Sequence, residues 1–364
     1  MLTVGIDYCA DQELFIINRS SQLPGGRNAN VAGIESLRPP VWFLALCTAS
    51  AVMGLTILTP ILPLITHDLA VPASSVQQLL TIYLIAISLG QLVSGPVSDR
   101  FGRRPVMLCG AVLYFLGGLA TAIADSIEML IMWRMLQGFG AAACMAMGRA
   151  IINDVFDRNE AARQMSMISM VLAIAPALSL AFGGILAEYA GWQSTMALLS
   201  FIGIVMFVSA FYLAAETNLH RLQTLDVSLI ISIYRAVLGN RLFLCWAVTS
   251  AMQVGIFFVL NGVLAYQYQR LGYSLAEFGL WFALTPLFYV VGNTLNRSWF
   301  VARGIERAAL LGCSLSVVAM LALAVTQSLG FTHALSLALP CCLFGFSNGI
   351  VVANATIGAV SAAS

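Results

Sequence analysis

The chain has 364 residues, 60% of them hydrophobic and only 9% charged, with a mean hydropathy of +0.91; this balance excludes an ordinary soluble domain of its length. The net charge of +1 is scattered in short clusters between long apolar runs, which excludes a basic nucleic-acid-binding face. The eight cysteines show no disulfide framework and no zinc-ligand spacing: Cys9 stands in the polar N-terminal tail, and the others, including the adjacent Cys341 and Cys342, lie in apolar segments where they act as small filler.

Residues 1–40 carry Asp7, Asp11, Glu13, Arg19 and Arg27 ahead of the first apolar run. They do not resemble a cleaved signal peptide and are expected to form a disordered cytoplasmic tail. Ten apolar stretches follow, near 41–65, 76–97, 105–124, 129–152, 164–187, 193–215, 242–266, 276–296, 307–327 and 333–357. Each approaches the about 20 residues that a helix needs to cross a bilayer. They are continuously apolar and too long for barrel strands, so the expectation is an all-α integral membrane protein with ten spans.

There is no lysine, and every arginine except Arg134, Arg149 and Arg270 precedes span 1 or follows span 2, 4, 6 or 8. The opposite loops hold Arg270 with acids such as Asp68, Asp125, Glu128, Glu188 and Glu277. The positive-inside rule then places the N-terminus in the cytoplasm. The longest internal polar stretch, 216–241, falls after span 6 and reads as a cytoplasmic linker. It divides the chain into a six-helix bundle over 41–215 and a partial bundle of about four helices over 242–364. A chain built from two such halves is a transporter plan in which solute binds between them near the midplane. The second half stops after span 10, as expected for a fragment or for a protein that has lost two spans.

Residues 90–108 read GQLVSGPVSDRFGRRPVML. Here the chain resembles the major facilitator superfamily, in its drug:proton antiporter branch, and most of all the bicyclomycin-resistance-like multidrug exporters. The signature between helices 2 and 3 of that family is matched by Gly95, Asp99, Arg100, Gly102, Arg103 and Arg104. Gly95 would let two helices approach, Gly102 would permit a tight turn, and the acid and bases would tie helix ends together. The resemblance implies that this loop is a latch between the halves at the cytoplasmic face.

WRMLQGFGAA in span 4 resembles the family's intramembrane arginine motif through Arg134, Gln137, Gly138 and Gly140. An arginine within a span is costly and needs a partner or a cavity. It either snorkels to the nearby outer surface or, as the resemblance implies, assists proton movement. Span 4 ends in GRAIINDVF, where Arg149 and Asp154 resemble positions of the same branch, with a local ion pair expected to bridge to the Asp99 loop. Fainter matches are Pro60 and Pro63 closing span 1, Glu216-Thr217 closing span 6, and Gly183-Gly184 in span 5.

The chain departs from the pattern in three places. Thr56 stands where these exporters carry an acid four residues before the first proline of span 1, and no Asp or Glu lies near the middle of any span. Leu180 replaces a proline three residues before the paired glycines, with Pro176 one turn earlier to bend the helix. Ala353 precedes Asn354 where the branch often has proline.

The polar and aromatic residues inside spans nominate the solute cavity: Tyr83, Tyr114, Gln253, Asn261, Tyr289 and Asn293, with Gln91, Asn348 and Asn354 beside them. Apolar walls with a few amides and phenols suit amphiphilic organic molecules better than phosphate, although each amide equally suits a neighbouring helix.

The expectation is a secondary transporter of the inner membrane that exports such molecules by alternating access, proton-coupled by resemblance, with the solute, protons and the bilayer as partners. No cofactor, metal or oligomer is implied. The competing expectation is a non-transporting remnant of the same fold. An enzyme is disfavoured, because the sequence has no HExxH, GxSxG or Walker-type loop and its histidines are isolated.

Overall fold

The computed structural model describes residues 38–218, 221, 227–300 and 304–363. The N-terminal tail up to residue 37, with Cys9, and the middle of the linker, with His220 and Asp226, lie outside the described residues.

The described chain is almost entirely helical, with nine helical runs long and apolar enough to cross a membrane. Span 1 is composite: an α-helix over Val41–Thr56, a 3-10 turn over Thr59–Ile61 and a second helix over Leu62–Asp68. Pro60 and Pro63 supply no backbone N–H to the ladder, so the helix re-forms around them. Spans 2, 3 and 4 are Ala73–Phe101, Arg103–Ala122 and Ile127–Val155. Spans 5 and 6 are one hydrogen-bonded run, Arg158–Leu213, that breaks direction at Gly191, where φ is +77°. At 1.5 Å per residue, 56 residues far exceed a bilayer of about 30 Å. The run is long enough for the two spans expected here, and it changes direction at one glycine without an intervening loop. Spans 7 to 10 are Arg241–Arg270, Leu275–Leu295, Ile305–Ser328 and Ala334–Ala363. The linker is not wholly irregular, since Val227–Gly239 forms a helix.

Spans 1 to 6 pack mainly on one another, as do spans 7 to 10, and span 8 against the span 5–6 run is the largest contact between the groups. One apolar cluster runs from Phe43 and Leu44 through Tyr83, Tyr114 and Met147 to Trp192 and Met206. The other gathers Leu264, Tyr268, Phe278, Phe282, Leu337 and Phe344. Lipid tails are as apolar as leucine, so burial of apolar surface does not drive this packing; close van der Waals fit does. Large side chains such as Leu89, Leu92 and Val93 are left exposed.

Small residues set the crossings. A Cβ on Gly140 would run into the backbone of Tyr114 and Gly110, and one on Gly138 would lie 2.7 Å from Ala86 Cβ and 3.0 Å from the Tyr83 carbonyl. Span 4 thus touches span 3 through Gly140 and span 2 through Gly138. Gly95 differs from its expected role, because among the described residues a Cβ there meets nothing within 4 Å.

Gly140→Val is therefore expected to cost about 1–3 kcal/mol or more by overpacking and to remove most monodisperse protein from a detergent gel-filtration profile. Gly95→Ala is expected to elute and melt like wild type.

Candidate functional site

Three polar features stand out: a buried arginine, a charged cluster at the arginine-rich end, and a cavity between the two groups of spans.

Arg134 does not snorkel. Its residue exposure is 0%, and its guanidinium donates from Nη1 to Gln137 Oε1 at 2.7 Å and from Nη2 to the Gly54 carbonyl at 2.7 Å. The guanidinium carbon lies 4.1 Å from the centre of the Tyr83 ring. A carbonyl, an amide oxygen and a π face thus share the charge, with no carboxylate among its described partners. Gly54 has room for this because it has no side chain: a Cβ there would strike Tyr83 Oη and lie 3.2 Å from Tyr114 Oη. The hydroxyl of Tyr114 donates to the Ser50 carbonyl at 3.1 Å, while Tyr83 Oη has no hydrogen-bond partner among the described residues. Tyr83 and Tyr114 therefore belong to the wall that holds Arg134 and do not line the cavity. Thr56 is buried and donates to the Val52 carbonyl at 2.9 Å, a bond within its own helix.

The signature loop builds the second feature. Gly102 has φ +105° and ends span 2, and a Cβ on it would collide with the Glu216 carboxylate. Arg103 is the hub: Nη1 bonds Asp99 and Ser98, and Nε pairs with Asp154 Oδ2 at 3.0 Å. Its backbone N–H donates to Glu216 Oε1 at 2.9 Å. Thr217 Oγ1 donates to the same Asp154 oxygen at 3.0 Å. The Asn218 amide donates to the Asp99 carbonyl at 3.0 Å, and Arg221 pairs with Glu216 at 3.2 Å. Arg104 donates to the Phe211 carbonyl at 2.9 Å, whereas Arg100 stacks over Phe101 at 5.2 Å. The loop thus ties the ends of spans 2, 3, 4 and 6 together. Asp154 bridges to it through Arg103 and not through Arg149. Glu216 and Thr217, which the sequence marked only faintly, join the cluster: Glu216 accepts from the Arg103 N–H and pairs with Arg221, and Thr217 donates to Asp154.

The third feature is a cavity of about 550 Å³. Spans 1, 4 and 5 contribute Val52, Arg149 and Pro176; spans 7, 8 and 10 contribute Phe257, Tyr289, Asn293 and Asn348, with smaller apolar residues between. Of the six nominated solute residues, Tyr289 and Asn293 line it. Gln253 instead bonds Ser316 Oγ at 2.9 Å, and Asn261 accepts from Thr59 at 3.1 Å and donates to the Phe257 carbonyl at 2.7 Å. Asn354 bonds Asn296 at 2.8 Å. Sequence reasoning expected Arg149 in a local ion pair at the end of span 4 and passed over Thr285; both line the cavity. A one-residue hydroxyl inside an apolar run gives no periodic signal that would have found Thr285.

Among the described residues, four hydrogen bonds between the groups gather toward the arginine-poor end. They join Thr59 to Asn261, Thr66 to Tyr266 at 2.8 Å, Gln77 to the Gly262 carbonyl at 3.3 Å, and the Ala276 N–H to Glu188 at 2.8 Å. At the same end Gly184 meets the Leu275 carbonyl and Gly279 meets that of Leu180, both with no space for a Cβ. Cavity residues such as Arg149, Asn293 and Thr356 lie instead toward the arginine-rich end of their spans.

Residues 44–364 match the Major Facilitator Superfamily. The chain belongs to that superfamily. It is 28% identical over 326 residues to the chloramphenicol resistance protein of Pseudomonas aeruginosa, covering 89% of this chain and 77% of the relative. To the multidrug resistance protein MdtL of Escherichia coli O17:K52:H18 it is 28% identical over 304 residues, covering 81% and 74%. Among solved structures, the fold is similar to a bacterial homologue of the human lysosomal transporter Spinster, at TM-score 0.71 and 14% identity, covering 87% of this chain and 74% of the other. It is also similar to a D-xylose-proton symporter, at TM-score 0.67 and 14% identity, covering 88% and 87%. The protein is a multi-pass membrane transporter of this superfamily and not an enzyme.

Because the Tyr83 hydroxyl has no partner, Tyr83→Phe is expected to leave the melting temperature within about 2 °C of wild type, as for a change worth under about 0.5 kcal/mol. Arg134→Ala leaves the Gly54 carbonyl and Gln137 without their donor and is expected to cost about 1–3 kcal/mol per orphaned group. A thermal melt of the purified variants in detergent checks both. In the charged cluster, Asp154→Asn is expected to raise proteolysis within residues 216–241 of the detergent-purified protein, since it weakens the tie from Arg103 and Thr217.

Proposed function

We propose that the protein exports small amphiphilic organic compounds by alternating access across the inner membrane, with the N-terminus and the arginine-rich loops in the cytoplasm. The cavity carries this reading: it is walled by both groups of spans, closed toward the arginine-poor end by hydrogen bonds and glycine contacts, and extends toward the other. With the arginine-rich side inward, this is the cytoplasm-facing state, ready to take up solute from the cell. The six-span and four-span groups are the two moving bodies, with the 216–241 linker between them. The charged cluster around Arg103 holds the cytoplasmic ends of the first body as a unit. The drug-resistance names of the relatives support export of drug-like compounds.

Proton coupling is the reading that the resemblance suggests. Arg134 would act here through the backbone it grips, since its partners are neutral; a movement of span 1 at Gly54 changes the setting of the guanidinium, and the reverse also holds.

Alternating access requires the Thr59–Asn261 contact to open in each cycle. Cells carrying Thr59→Cys with Asn261→Cys are expected to lose energised efflux of fluorescent amphiphilic dyes when a short thiol-reactive crosslinker bridges the pair, and to regain it on reduction. Each single variant is expected to keep efflux under the same treatment. Efflux that persists through complete crosslinking, or a well-inserted wild type that moves no dye, would refute the reading.

A further inference from the structure

We propose that the cavity selects organic monoanions, in which a single carboxylate or sulfonate pairs with Arg149 while an apolar body lies against the walls. The proposal rests on the transport reading above and names its substrate class.

Among the described residues, Arg149 is the charged side chain of the cavity lining, and no carboxylate lines the cavity. The residue is exposed, and its guanidinium makes no ion pair or hydrogen bond among the described residues. The nearest acid along its helix, Asp154, is already engaged by Arg103 and Thr217, each at 3.0 Å. Arg134 is sealed from water and is held by Gly54, Gln137 and Tyr83. Arg149 has no such protein partners; it is exposed in the cavity, where its guanidinium stays charged and open to an anionic group of a ligand.

The rest of the lining fits one charge and no more. Val52, Leu172, Pro176, Val254, Phe257 and Ile357 give an apolar wall, and a volume of about 550 Å³ is within the range for a drug-sized molecule. Thr285 and Asn348 add two neutral polar residues to the lining, so the walls offer a ligand no second charge. A cationic ligand would meet Arg149 as a like charge, and a dianion would leave its second charge unpaired in an apolar site.

The test is binding of naphthylacetate, naphthylacetamide and naphthylethylamine, which share one body, to the full chain in nanodiscs by titration calorimetry. The acid is expected to bind at least about tenfold more tightly than the amide, as for a charge-assisted hydrogen-bonded pair, with the amine weakest. Arg149→Gln is expected to reduce the acid-to-amide ratio to about one, and Arg149→Lys to keep most of it, each checked for monodispersity. Equal or tighter binding of the amide or the amine by wild type, or a full preference kept in Arg149→Gln, would overturn the assignment. So would failure to bind the acid by protein that exports dyes from cells, and in that case the transport reading would stand while the monoanion class fell.

Discussion

The first bundle is organised around a guanidinium that reaches neither water nor a carboxylate. Arg134 extends from span 4 to the backbone of span 1 at Gly54 and lies on the ring of Tyr83 in span 2. In lipid every polar group must find its partner within the protein, so three helices have to meet at one point for the charge to be tolerated. Glycines at 54, 138 and 140 make the meeting sterically possible. The crossings of spans 1, 2, 3 and 4 follow from that requirement as much as from apolar fit.

The other charges are arranged on a different principle. At the arginine-rich end, Arg103 collects Asp99, Asp154 and the Glu216 side chain, which lie in or next to spans 2, 4 and 6. These contacts are all within the first group of spans, so they stiffen that group and leave its motion against spans 7 to 10 unopposed. Contact across the groups is made at the far end, by neutral hydrogen bonds and by carbonyls packed on Gly184 and Gly279. Such contacts carry small free energies individually, which suits an interface that has to open and close.

Much of this was legible in the sequence. Apolar length gave the spans, and the absence of lysine with one-sided arginines gave their alternation. GQLVSGPVSDRFGRRPVML marked the loop that Arg103 and Gly102 build. Pairing was less legible. Arg149 and Asp154 stand five residues apart on one helix and read as partners, yet 3.6 residues per turn sets them on different faces. Asp154 turns to Arg103, and Arg149 turns to the cavity. Gln253 and Asn261 read as cavity amides, but each found a hydroxyl on another helix, because an amide in hydrocarbon is drawn to whatever donor or acceptor packs against it.

By itself the sequence determined that this chain lies in a membrane as a bundle of about ten helices, and which loops share a side, because hydropathy and charge asymmetry act residue by residue against the bilayer. Tertiary structure alone decided which polar groups are consumed in holding helices together and which face the solute path. That choice depends on helix rotation and crossing, where small residues such as Gly54, Gly140 and Gly184 fix separations that no local pattern encodes. Arg134 and Arg149 stand on the same span, fifteen residues apart. Only the packing around them made one a buried tie and the other an unpaired charge in a cavity.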